Sequence, residues 1–129
     1  MNTPEQWTRL AESWRFEHFF LVWDETHPEE WEPVFDVLIR TLEDWGADLS
    51  HLTRRPPDLS PWTVAVRTWE NVLDTWVQAV TVQPVMAAHL IAVEGELLPV
   101  GEALHRAQQR PRQAYAALPF HCSQSDPRT

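Results

Sequence analysis

The residues of this 129-residue chain that could do chemistry are its carboxylates and imidazoles: it has 19 Asp and Glu, six His and a single Cys. Glu102-Ala103-Leu104-His105 has the Glu-x-x-His spacing that carboxylate-bridged di-iron bundles use to hold metal. Such a site needs a second copy and two further inward glutamates. No second copy is present, and the apolar stripe Met86, Leu90, Val93, Leu97, Val100, Leu104 puts Glu102 and His105 on the outer side of their helix. A bound metal is not expected. A second set is aimed inward. Glu17 lies three residues after Trp14 and four before Leu21, with His18 beside it; His89 lies between Met86 and Val93, and Glu96 between Val93 and Val100. Glu17, His18, His89 and Glu96 could converge on a small ligand or metal. The favoured alternative pairs them with each other or with Arg at the core edge, because a buried carboxylate needs a partner.

Nucleophilic chemistry has no support. His121-Cys122 has no second cysteine near it, so the reading there is a free thiol. Three glycines are too few for a phosphate-cradling loop, and no P-loop, dinucleotide fingerprint or nucleophile elbow occurs. The chain therefore reads as a non-enzyme with no cofactor. Its charge is more telling. Residues 1–50 carry twelve acids against Arg9, Arg15 and Arg40, a net of −9, whereas residues 51–129 balance. Phosphate binding needs a basic stripe, so direct nucleic-acid binding is not expected. Six acids fall within thirteen residues, Asp24, Glu25, Glu29, Glu30, Glu32 and Asp36, with Trp23 and Trp31 among them. Some complement the dipole of a helix start. The rest form either a solvated face or a steering patch for a basic protein partner. The functional expectation is a non-catalytic interaction or accessory protein that docks through Trp23, Asp24, Glu25, Glu29, Glu30, Trp31, Glu32 and Asp36. The alternatives are the inward Glu/His ligand site and an amphipathic protein on a granule or membrane surface.

Four helices would position these residues. Thr3-Pro4-Glu5-Gln6 is a capping box with proline at the first helical position, and Trp7, Trp14 and Leu21 predict a helix to about Trp23. A second helix starts near Thr26–Pro28, carries Trp31, Leu38 and Trp45, and stops at Gly46. Residues 47–60 form the longest connection. Ser60-Pro61 opens a third helix with Trp62, Trp69 and Trp76. The fourth runs from Pro84 to Pro111 and bends at Gly95, where the ring of Pro99 presses on the carbonyl four residues earlier. The fold class expected is all-α, an antiparallel four-helix bundle with a Trp-rich core, helices one and two and helices three and four being neighbours. Residues 1–119 make the single domain and 120–129 a disordered tail. Eight tryptophans exceed what such a bundle buries, so Trp7, Trp23 or Trp62 would be left exposed as interface anchors, and self-association into a homo-oligomer is compatible with the heptad spacing. With no apolar span long enough for a bilayer, no signal-like start and one cysteine, the expected location is cytoplasmic.

Trp69-Glu70-Asn71-Val72-Leu73-Asp74-Thr75-Trp76, together with Ala116-Ala117-Leu118-Pro119 and the later Ser123, Ser125 and Asp126, resembles the phasin-like accessory subunits of polyhydroxyalkanoate synthases. The likeness covers about a third of the chain. It implies a non-catalytic subunit bound to a synthase or a granule surface. The chain departs from that pattern in its acidic first half and its prolines between helices.

Overall fold

The structure is a computed structural model and describes residues 2–23 and 26–118. It is mostly helical, with one small two-stranded sheet. Helix α1, Pro4–Ser13, starts at the expected capping box. Thr3 Oγ1 accepts from the Gln6 amide at 3.2 Å, and Gln6 Oε1 accepts from the Thr3 amide at 2.8 Å. The helix does not continue to Trp23. It ends after Ser13, and a 3-10 turn at Phe16–His18 follows. The Trp14 carbonyl is taken at 2.6 Å by the indole N–H of Trp76, and the rings of Phe16 and Phe19 pack against that indole at 5.2 and 5.1 Å. A continued helix would have buried Leu21. Here Leu21 is 94% exposed, and the two larger aromatic rings pack, half-buried, against the core instead.

A 3-10 turn, Pro28–Trp31, leads into α2, Glu32–Ser50. Pro33 falls in its first turn, where a missing amide donor costs nothing. Gly46 does not end this helix. It is buried, and a Cβ built there would meet Pro111 N at 3.6 Å, so its role is the close approach of two helices. Helix α3, Ser60–Thr81, is opened by Asp58, whose Oδ1 accepts from the Ser60 amide at 3.0 Å; Trp62, Trp69 and Trp76 are all buried along it.

The expected fourth helix is four elements. Helix α4, Pro84–Ala88, is followed by strands β1, Leu90–Val93, and β2, Glu96–Pro99, and then by α5, Val100–Ala116. The predicted bend at Gly95 is a two-residue hairpin turn. Glu94 has φ 52° and Gly95 φ 81°, the pair of positive dihedrals that matches the twist of a tight hairpin. Ile91 pairs with Leu98 and faces the core, while Leu90, Ala92, Leu97 and Pro99 take the opposite face. Pro111 does not stop α5 either; it is buried inside the helix against α2.

The helices pair α1 with α3 and α2 with α5, and α3 also packs on α5. The expected pairing of helices one and two is replaced, since α1 packs on α3 and α2 on α5, whereas the expected third and fourth helices do meet, through α3 with α4 and α5. None of the eight tryptophans is exposed: six are buried, and Trp14 and Trp23 are half-buried against the core. Trp7 and Trp62, expected at the surface, lie inside. The predicted tail at 120–129 lies outside the described residues.

Candidate functional site

Helix α2 begins with Glu32, Pro33 and Asp36 on its outer side, because Phe35, Leu38 and Ile39 occupy the buried stripe. The hairpin supplies the opposite wall. Its inner face is used up by Ile91 and Leu98, so strand alternation leaves Leu90, Ala92 and Leu97 pointing away from the core. Between the two walls runs a groove of about 510 Å³ lined by Glu32, Pro33, Asp36, Leu90, Ile91, Ala92 and Leu97. Leu90 and Leu97 are 50% and 67% exposed. One bond fixes the walls to each other: His89 Nε2 meets Glu32 Oε1 at 2.5 Å, and the His89 carbonyl accepts from the Val100 amide at 2.8 Å to close the hairpin base. The groove has an apolar floor and an acidic rim. About half of the Glu32 and Asp36 side chains faces solvent, and among the described residues Asp36 is paired with Arg40, at 3.3 Å. Such a surface favours apolar side chains flanked by cations.

The acidic stretch expected to bind a partner divides. Glu32 and Asp36 line the groove, and Glu29 and Glu30 are exposed just before it. Asp24 and Glu25 lie outside the described residues. Trp31 is buried and Trp23 half-buried, their rings 4.7 Å apart in an edge contact. Beside them, Phe20, Leu21 and Val22 form a second exposed apolar strip.

The inward Glu/His set does not assemble. Glu17 and His18 are exposed on the 3-10 turn, with Arg15 at 3.9 Å from Glu17, since the stripe that would have turned Glu17 inward ends with α1. His89 is engaged by Glu32, and Glu96 is exposed at the hairpin tip, 3.4 Å from Arg106 of α5. Glu102 and His105 are exposed, with Glu102 at 3.0 Å from Arg106. Among the described residues no group of three or more His, Cys, Asp or Glu is placed to hold a metal ion, and no helix is long and apolar enough to cross a membrane.

Sequence reasoning missed Leu90, Ala92 and Leu97 as surface residues. The signal was present: Leu-Ile-Ala-Val and Glu-Leu-Leu-Pro are strand-length runs on either side of Glu-Gly, and short apolar runs fit both helical and strand periods. On the far side of α5, Arg112 clasps Glu70 through Nε at 2.9 Å and Nη2 at 2.7 Å. That hydrogen bonding, against some desolvation, holds the guanidinium above its ordinary value, with the charges of Glu70 and Asp74 acting the same way. The clasp is a fixed structural tie rather than a proton donor. Comparison of the chain with protein-family models, with curated proteins and with solved structures finds no match.

Proposed function

We propose that the chain is a non-catalytic docking module whose partner is a protein segment with apolar anchors and flanking Lys or Arg, seated in the groove between α2 and the hairpin. The observation that carries this reading is the juxtaposition of exposed Leu90, Ala92 and Leu97 with the carboxylates of Glu32 and Asp36. Apolar contact supplies affinity and the acidic rim supplies steering and choice of partner. A second copy of the same chain fits less well, because an overall charge of −9 opposes self-association on an acidic face. Attachment to a synthase or a granule, which the phasin-like resemblance implies, is one form that this docking takes.

The test is fluorescence anisotropy with a labelled amphipathic peptide of Leu and Arg, beside a Leu and Glu peptide of equal length. The Leu/Arg peptide is expected to bind and the Leu/Glu peptide is not. The double change L90S/L97S should weaken binding at least ~10-fold, corresponding to about 1.4 kcal/mol. V64S, at a comparably exposed valine on α3, should leave it unchanged. E32Q/D36N should weaken binding and flatten its salt dependence. Equal affinity of the wild type and L90S/L97S would remove the groove from the proposal. Loss on F20S/L21S instead would move the docking face to the strip before α2.

A further inference from the structure

A two-stranded sheet has two open edges, and the edge of β1 borders the docking groove. Val93 and Glu96 flank the two-residue turn and pair directly, so the bonds between the strands fall on Val93–Glu96 and Ile91–Leu98 and skip Ala92–Leu97 and Leu90–Pro99. The bond from the Val100 amide to the His89 carbonyl, at 2.8 Å, continues that alternation at the base. Pro99, which has no N–H to give, falls on a skipped position. The N–H and C=O groups of Leu90 and Ala92 therefore point away from β2, and among the described residues nothing bonds to them. That edge faces α2. His89, directly before β1, bonds Glu32 of α2, whereas Glu96 of β2 reaches Arg106 of α5. Leu90, Ile91 and Ala92 line the groove in succession, and Ile91 has its side chain in the core, 7% exposed, so the groove meets β1 at its main chain.

An open row of main-chain groups beside an apolar floor suits strand addition, in which backbone bonds supply affinity and alternate side chains supply selection. An amphipathic helix in the same groove would keep its N–H and C=O groups bonded internally and leave the edge of β1 unmatched. We infer, resting on the docking role proposed for this groove, that the occupant is an extended segment of alternating apolar and basic residues that pairs with the edge of β1 as a third strand. Successive side chains of a strand point to opposite faces. The apolar residues of the segment lie beside Leu90, Ala92 and Leu97, and its Lys or Arg residues turn toward the carboxylates of Glu32 and Asp36. Only alternate residues of the segment spend their main-chain groups on β1: those sharing the face of Leu90 and Ala92 if it runs antiparallel, the others if it runs parallel.

The test is binding of the intact chain to labelled peptides of one composition, Leu and Arg in equal numbers, followed by fluorescence anisotropy. In one peptide the two residues alternate strictly; in another they follow the helical period. Two further copies of the alternating peptide carry backbone N-methyl groups, one on its leucines and one on its arginines. The alternating peptide is expected to bind at least ~10-fold more tightly than the helical-period peptide. Methylation of one set should weaken it at least ~10-fold and methylation of the other should leave it near the parent. In the complex the amides of Leu90 and Ala92 should exchange with solvent more slowly. Ala92→Pro removes an outward amide without touching the bonds between β1 and β2, and should weaken the alternating peptide at least ~10-fold. The peptide series on the unaltered chain stands whether or not that variant folds. Equal effects of the two methylated sets, tighter binding of the helical-period peptide, unchanged exchange at Leu90 and Ala92, or full binding by a folded Ala92→Pro chain would overturn the added strand and leave the docking groove in place. Failure of every peptide to bind would overturn both.

Discussion

Asp48 has a role that its place in an acidic half would not suggest. Its Oδ2 accepts from the Trp7 indole at 2.7 Å and from the Asn2 amide at 3.1 Å, so it ties the start of the chain to α2. Asp48→Ala leaves a buried indole donor without its acceptor and should lower stability by about 1–3 kcal/mol, read as a fall in the urea midpoint with little change in slope. Trp45→Ala should cost more, about 3–5 kcal/mol, because the ring is fully buried, lies 6.1 Å from Trp62 in a stacked pair and contacts Trp7 at 5.1 Å. An equal, small effect of the two substitutions would mean that the interior collapses around lost rings. At this scale the sequence was partly readable. Heptad spacing put Trp62, Trp69 and Trp76 on one buried stripe, as observed. Spacing could not tell that the Trp14 carbonyl would accept from Trp76 where α1 ends, which leaves Glu17 on an exposed 3-10 turn rather than on a helical stripe.

The elements carry two opposite glycine predictions. At Gly95 a Cβ would meet nothing within 4 Å, yet φ is 81°, so Gly95→Ala is penalised through the backbone alone, by about 1–2 kcal/mol. At Gly46 the backbone is helical and the closest atom to a built Cβ lies at 3.6 Å, an ordinary contact. Gly46→Ala is therefore accommodated and should raise stability by up to about 1 kcal/mol through helix propensity. Thermal unfolding of the two variants should move in opposite directions, and a destabilised Gly46→Ala would show that α2 and α5 are closer than described. These residues also explain why the boundaries of α2, α5 and the hairpin were illegible. Gly46 looks like a helix stop and Pro111 like a helix breaker, but each is placed where the other helix needs to come near. Gly95 looks like a hinge in a helix, whereas a positive φ at Glu94 beside it makes a strand reversal the cheaper solution.

At the scale of the whole molecule, the helical content and the tryptophan-rich interior were legible from composition and capping. The pairing of helices was not, because it depends on how irregular segments cross the surface, and no periodicity encodes that. The acidic half was legible as charge but not as a site: its second wall is a hairpin far along the chain, whose outward leucines looked like a buried helical stripe. With every indole buried or half-buried, acrylamide should quench the native emission weakly and the urea-unfolded emission strongly. Strong quenching of the native state would contradict the packing described.

The ring of Trp76 touches Trp14, Phe16, Phe19, Trp23 and Phe35, with centroids 5.1–6.2 Å away. Chromophores that close do not absorb independently. Their transitions mix, so the molecule should give split ultraviolet dichroic bands that belong to the assembly and to no one residue. That optical signature doubles as a clasp indicator: peeling the irregular stretch off α3 would weaken it, leaving the share of the Trp7, Trp45 and Trp62 rings, while the helical signal stayed, and an observer could time the event without attaching any label.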